Sequence, residues 1–186
     1  MSKSNSGLFS GTTGHKKYVE KTQTASDIIS SRTAGLDLRE HPRQKSLTPK
    51  QRKAIKEKIK NRTATRQEFK KIESDKRFSS RRKKAIDDFW KQERKRIKKG
   101  LPLTRNWSDE QKTIILRGGR PKYNGKTIQG HHTYSASKYP HLANRGEVIF
   151  PVTYEEHLYG WHGGNFRNSK PGKPINYSTI HNFKER

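Results

Sequence analysis

The chain has 186 residues, of which 27% are hydrophobic and 32% charged, and its 43 Lys+Arg against 17 Asp+Glu give a formal net charge of +26. That balance excludes a large core buried along the whole length, and its self-repulsion calls for a polyanion, nucleic acid being the obvious one; a membrane surface would want an apolar helix face or anchor, and none is present. Cysteine is absent, which excludes disulfides, thiolate metal sites and Cys nucleophiles and leaves His and carboxylates as metal ligands.

Met1 to Thr13 is Ser/Gly-rich and carries no apolar run that reads as a signal peptide or a spanning segment. Residues 1–45 read as a linker or loosely docked segment, with a short helix around Ala25 to Ser31 ending near Gly35. Residues 46–100 read as a basic helical region. Thr48 caps a first helix, with Pro49 in its first turn and Gln51 reaching back, and Thr65 with Glu68 starts a second. Ser80 can cap a third, carrying Ala85, Ile86, Phe89, Trp90 and Ile97 to a stop at Gly100. Such a stretch serves either as a solvated spacer or as an arm that grips backbone phosphates.

Residues 101–186 read as the compact domain, because Trp, Tyr, Gly, Pro and His appear there as charge density falls. Ser108 and Gln111 form a capping box for a helix that ends at Gly118-Gly119. Asn124-Gly125 suits a two-residue hairpin turn, aiming a strand over Lys126–Gln129 at Gly130-His131-His132. A β-like run Val148–Val152 follows a longer loop, and Thr153 with Glu156 then caps a helix carrying His157 and ending at Gly163-Gly164.

Four of the eight His residues fall in this strand, loop, strand, helix unit. Metal sites need side chains from separate elements meeting at one point, and neutral imidazole is the commonest nitrogen ligand. Neighbouring residues in a strand face opposite sides, so His131 and His132 share a site only if the strand ends or twists, which Gly130 permits. One imidazole could then bind metal while the other takes a proton from water. In an α-helix, five residues from His157 to His162 mean a rotation of about 140°, so His162 is expected where the helix unwinds, with Glu156 as a substitute ligand.

Gly130-His131-His132, the strand, the helix with His157, and Trp161-His162-Gly163-Gly164-Asn165-Phe166-Arg167-Asn168 together resemble the GHH-type branch of the HNH, or ββα-metal, nuclease superfamily. They resemble in particular the C-terminal toxin domains of bacterial polymorphic toxins, LXG-type proteins included, over roughly residues 106–176. The resemblance implies an α+β fold with a small ββα-metal core, preceded here by the basic helical region. It also implies one divalent metal (Mg²⁺, Mn²⁺ or Zn²⁺), with His131, His157 and His162 as ligands and His132 as general base. Asn144 is the candidate for the family's base-orienting Asn, with Glu147 and Val148 as alternatives. Arg167 and Arg145 are candidate phosphate contacts, since a planar guanidinium matches non-bridging oxygens.

The implied function is metal-dependent endonucleolytic hydrolysis of nucleic acid, DNA favoured over RNA. The resemblance implies an antibacterial toxin, secreted as part of a larger protein, acting in the target-cell cytoplasm and neutralised by an acidic immunity protein. A non-catalytic nucleic-acid-binding protein explains the charge equally well but not a His pair ending a strand with an open face, and a phage or cellular HNH endonuclease in DNA processing shares the chemistry and differs only in biology. His15, His41 and His181 read as surface residues, His141 as structural and Trp161 as core; Tyr134 reads either as core or as a base-stacking residue.

Overall fold

The computed structural model of the chain describes residues 23–180; the readings of His15, His181 and the Ser/Gly-rich opening fall outside them. The architecture is mixed, with helices α1 (Ala25–Thr33), α2 (Pro49–Lys60), α3 (Arg66–Lys99) and α4 (Asp109–Leu116) around two antiparallel strand pairs. Strands β1 (Lys122–Tyr123) and β2 (Lys126–Thr127) form one pair, and β3 (Gln129–His132) and β4 (Ile149–Val152) the other. No helix among the described residues is long and apolar enough to cross a membrane.

The capping residues start the helices where the sequence puts them. Thr48, Thr65 and Ser108 each accept from the backbone N–H three residues on, while Gln51, Glu68 and Gln111 reach back to the cap. Thr24 does the same with Asp27 at α1. Ser80 starts nothing, because α3 runs unbroken through it for 34 residues to Gly100. No Gly or Pro interrupts 66–99, and Ile72, Phe78, Ala85 and Phe89 continue one buried stripe across that point, so burial outweighs the Ser cap.

The β3–β4 pair lies between two cores. Phe150 and Val152 pack with Ile29 of α1, Tyr134, Leu142 and Trp161, whereas Ile149 packs with Phe89 and Trp90 of α3, Trp107 and Ile115. Alternation along β4 therefore feeds both clusters, and each large side chain so buried contributes about 1.5–3 kcal/mol. Helix α1 is bolted on by Arg32, whose guanidinium donates to the carbonyls of Ile149 (2.8 Å) and Gly146 (3.0 Å). Gly146 in turn donates its N–H to Asp88 of α3 at 3.2 Å. The carboxylate of Glu93, fully buried on α3, accepts from the Thr104 N–H (2.8 Å), its hydroxyl (2.8 Å) and Trp107 Nε1 (2.7 Å), tying the segment after α3 back onto it.

The turn at Asn124-Gly125 has positive φ at both residues (47° and 75°) and pairs Tyr123 with Lys126, as the Asn-Gly dipeptide requires. Its second strand stops at Thr127 rather than running on to Gln129: Ile128 turns into the core, 2% exposed, and β3 begins a new pairing in which Gln129 faces Val152 and His132 faces Ile149.

Candidate active site

His131 sits in the middle of the β3–β4 pairing, opposite Phe150, and its ring packs on Trp161 at 4.6 Å between centroids. The neighbouring rings of His157 and His162 lie 5.0 and 4.9 Å away, and 5.0 Å from each other. One nitrogen from each of the three falls within 4.8 Å of the other two.

The five-residue spacing is reconciled by the backbone. Thr153 and Glu156 exchange the two hydrogen bonds of a capping box (3.1 and 2.8 Å), and His157 N–H donates to the Thr153 carbonyl at 3.0 Å, so the segment starts as an α-turn. It then widens into a π-helical turn over Glu156–Trp161, in which His162 N–H reaches the His157 carbonyl at 3.2 Å. Hydrogen bonding from i to i+5 sets the fifth residue one turn above the first, so both imidazoles share a face. His162 itself caps the end of this turn, just before Gly163 and Gly164 with their positive φ of 57° and 87°, so it lies where the helix ends, as expected, and the widened turn supplies the alignment.

Glu156 does not serve as a substitute ligand. Arg105 grips it with two nitrogens at 2.7 Å each while also donating to the Pro151 carbonyl at 2.8 Å, with both side chains almost fully buried. This pair locks the start of the π-helical turn to the end of β4.

The tautomers of two histidines follow from their partners. His157 Nδ1 lies 2.8 Å from Gln129 Oε1, and His162 Nδ1 contacts the carbonyl of Asn168. Both acceptors require the hydrogen on Nδ1, which leaves each Nε2 lone pair free. Burial first, and then the facing His157 and His162, push the pKa of His131 well below its usual value. Burial and His162 bring His157 down to about 4. The centre thus offers three nitrogen donors, with His131 and His157 uncharged at neutral pH, a set that fits a divalent ion of the imidazole-binding class.

His132 has a different neighbourhood. Its Nε2 donates to the Ala143 carbonyl at 3.2 Å, so Nδ1 is the basic nitrogen. Burial lowers its pKa to about 4, the Ala143 carbonyl opposing and the nearby Arg82 assisting. His131 and His132 nonetheless line one cleft of about 350 Å³, because β3 ends at His132 and the cleft opens across that end. Gly130 contributes through space rather than twist: a Cβ there would meet Ile86 of α3 at 3.0 Å and Ile149 at 3.1 Å.

Phe78 and Arg82 of α3 line the cleft, as do Phe166, Arg167 and Ser137. Arg167 is exposed at this site, whereas Arg145 does not line the cleft and pairs with Glu147 at 3.1 Å. Asn144 Oδ1 accepts from Arg81 at 3.3 Å, so His132 is met by the backbone carbonyl just before Asn144 rather than by that side chain. Val148 is fully buried in the core. Tyr134 is core, packed edge-on against Tyr139 at 5.2 Å, and Trp161 is core as expected. His141 donates from Nε2 to the Asp37 carbonyl at 2.8 Å and lies 3.8 Å from the ring of His41, which is exposed as a surface residue is expected to be. Sequence reasoning missed Arg82, Gln129 as the partner of His157, and the Ala143 carbonyl.

Residues 72–153 match the family described as a GHH signature containing HNH/Endo VII superfamily nuclease toxin. The match takes in Gly130-His131-His132, reaches back into α3 and stops before His157. No curated protein matches the chain.

Proposed function

We propose, on the premise that residues 72–153 form a nuclease toxin domain of the GHH-signature HNH/Endo VII superfamily, that the histidine cleft hydrolyses phosphodiester bonds of nucleic acid with one divalent metal. The observation that carries this reading is the division of labour among four imidazoles: three with donor nitrogens within 4.8 Å of one another, and a fourth in the same cleft with its tautomer fixed. In this reading β3, β4 and the helical segment after Thr153 act as the ββα-metal unit of the nuclease domain expected over 101–186, and α3 of the basic helical region 46–100 packs against that unit.

His131, His157 and His162 hold the metal, the last two through Nε2. Once bound, the ion supplies Lewis-acid stabilisation of the phosphate charge and of the departing oxygen. His132 Nδ1 takes a proton from water as the water oxygen bonds to phosphorus and the P–O3′ bond breaks; the electron pair leaves with O3′, which takes a proton from solvent. The Ala143 carbonyl keeps His132 in the tautomer that this step needs, and Asn144, tethered to Arg81, is a positioning residue for that peptide. Arg167 and Arg82 face the same cleft and take the non-bridging oxygens. Nothing in the scheme uses a 2′-hydroxyl, so DNA, the substrate expected from the sequence, is admitted by the chemistry, and RNA is admitted too.

The toxin family and the net charge of +26 together support delivery into a competing cell within a larger secreted protein, action in that cell's cytoplasm, and restraint by an immunity protein with an acidic face. Plasmid cleavage tests the enzymatic core of the reading. EDTA abolishes cleavage, His132→Ala abolishes it while retaining metal binding, and His131→Ala loses both. Cleavage that survives EDTA, or that persists in His132→Ala, defeats the assignment; tight DNA binding without cleavage under Mg²⁺, Mn²⁺ and Zn²⁺ alike favours a passive binder.

A further inference from the structure

Around α3 from the histidine cleft, α2 and α3 enclose a second groove of about 590 Å³, lined by Arg52, Lys56, Lys76, Ser79, Ser80 and Lys83. Its one carboxylate, Asp75, is already committed: it is 5% exposed, accepts from Arg52 Nε at 2.9 Å and from the Leu47 N–H at 2.8 Å. Lys56, Lys76 and Lys83 are exposed, and none makes an ion pair with a carboxylate among the described residues. Elsewhere on this chain cations find such partners, as Lys58 does with Glu68 at 2.5 Å and Arg120 with Asp87 at 2.9 Å. Three free ammonium groups and two hydroxyls around one concavity form a site for phosphate oxygens.

The groove and the cleft are walled by the same turn of α3. Phe78 and Arg82 line the cleft, and the next residues, Ser79 and Lys83, line the groove, a rotation of about 100° around the helix. The segment leading into α2 joins them on the other side, with Gln44 and Ser46 at the cleft and Arg52, in the first turn of α2, at the groove. A turn of about 100° around a helix of about 10–12 Å diameter spans about 8–9 Å, which corresponds to about two to three nucleotides along one strand at about 3.4 Å each.

We infer that the α2–α3 groove is a second phosphate-binding subsite, which takes the nucleic-acid backbone about two to three nucleotides from the bond held in the histidine cleft. The inference rests on the proposed nuclease reading for its substrate. It makes the chain a length-dependent enzyme: a small diester fills the cleft alone, and a polymer engages both sites.

The test compares Lys56→Gln/Lys76→Gln/Lys83→Gln with an equally charged control, Lys95→Gln/Lys98→Gln/Lys99→Gln, in the full chain. Binding of a 20-bp duplex in EDTA is read by fluorescence anisotropy across 50–200 mM KCl. The groove variant is expected to lower the slope of log K against log[salt] by about 2–3, at about 0.9 for each phosphate no longer neutralised, and the control by less than 1. With Mn²⁺, the groove variant is expected to raise KM for the duplex about tenfold or more at unchanged kcat, while hydrolysis of bis(4-nitrophenyl) phosphate stays at the wild-type rate. Equal slope changes in the two variants, or none in either, overturn the subsite, as does an equal loss on the small diester. If the wild-type chain hydrolyses neither substrate, the nuclease reading fails, and the binding slopes still decide the groove on their own.

Discussion

Replacing Gln129 with Ala removes the acceptor that holds His157 by Nδ1 at 2.8 Å, so the imidazole is free to rotate and to exchange tautomers. Loss of such an outer partner costs about 10–100-fold in metal affinity, or about 1.4–2.8 kcal/mol at about 1.4 kcal/mol per decade. Gln129 is itself exposed, so its removal strands no buried group, and the metal-free protein should keep its stability to within about 0.5 kcal/mol. Gln129→Glu carries the opposite sign: a carboxylate accepts the Nδ1 hydrogen more strongly and raises the basicity of Nε2, tightening binding. Isothermal titration of Zn²⁺ and of Mn²⁺ into metal-free protein reads both changes. Wild-type affinity in Gln129→Ala, or weaker binding in Gln129→Glu than in Gln129→Ala, would refute Nε2 as the donor of His157.

Breaking the buried Arg105–Glu156 pair by Glu156→Ala should cost about 3–5 kcal/mol, which lowers Tm by about 6–20 °C at about 2–4 °C per kcal/mol. Arg105→Ala should cost about as much and the double variant less than the sum, all read by calorimetry; strict additivity would deny the coupling. Ile29→Ala, opening the core where α1 docks, should cost about 2–5 kcal/mol in urea unfolding, whereas a loss below about 0.5 kcal/mol would show α1 to be dispensable to that core. For pH, the sign follows from three depressed histidines: below the ordinary value of 6.5 the unfolded chain takes up protons that His131, His132 and His157 refuse in the fold. Stability in EDTA is therefore full above pH 6.5 and falls as pH drops toward about 4, where His132 and His157 titrate in the fold. Equal urea midpoints at pH 7 and pH 5 would contradict that burial.

Helix starts are legible in the sequence because a capping box is a local device: Thr48 with Gln51, Thr65 with Glu68 and Ser108 with Gln111 need nothing beyond three residues of chain. The Asn124-Gly125 turn is legible for the same reason. Ser80 carries the same local signal and misleads, since the apolar stripe from Ile72 to Phe89 is buried by partners distant in sequence. The candidate site is legible as residue types, His131, His132, His157 and His162, and not as geometry. An α-helical period separates His157 from His162, and only the widened turn aligns them.

What holds the site is hidden for physical reasons. The group that orients His132 is a backbone carbonyl, which no side-chain pattern announces. Glu156 looks available in the sequence because its partner, Arg105, lies 51 residues away. Arg82 stands in the run Arg81-Arg82-Lys83-Lys84, where composition cannot tell which cation faces the cleft and which faces solvent.

The contact between Gly146 and α3 sets a limit on how this protein can vary. A methyl at position 146 would sit 2.6 Å from Asp88 Oδ2 and 2.7 Å from the Phe89 nitrogen, and the latter is main chain that cannot swing aside. Even alanine would lift the start of β4 from its support, along with the short stretch from Ala143 that aims a carbonyl at His132. A saturation library screened for folding should therefore tolerate almost nothing at 146, a residue with no chemistry of its own.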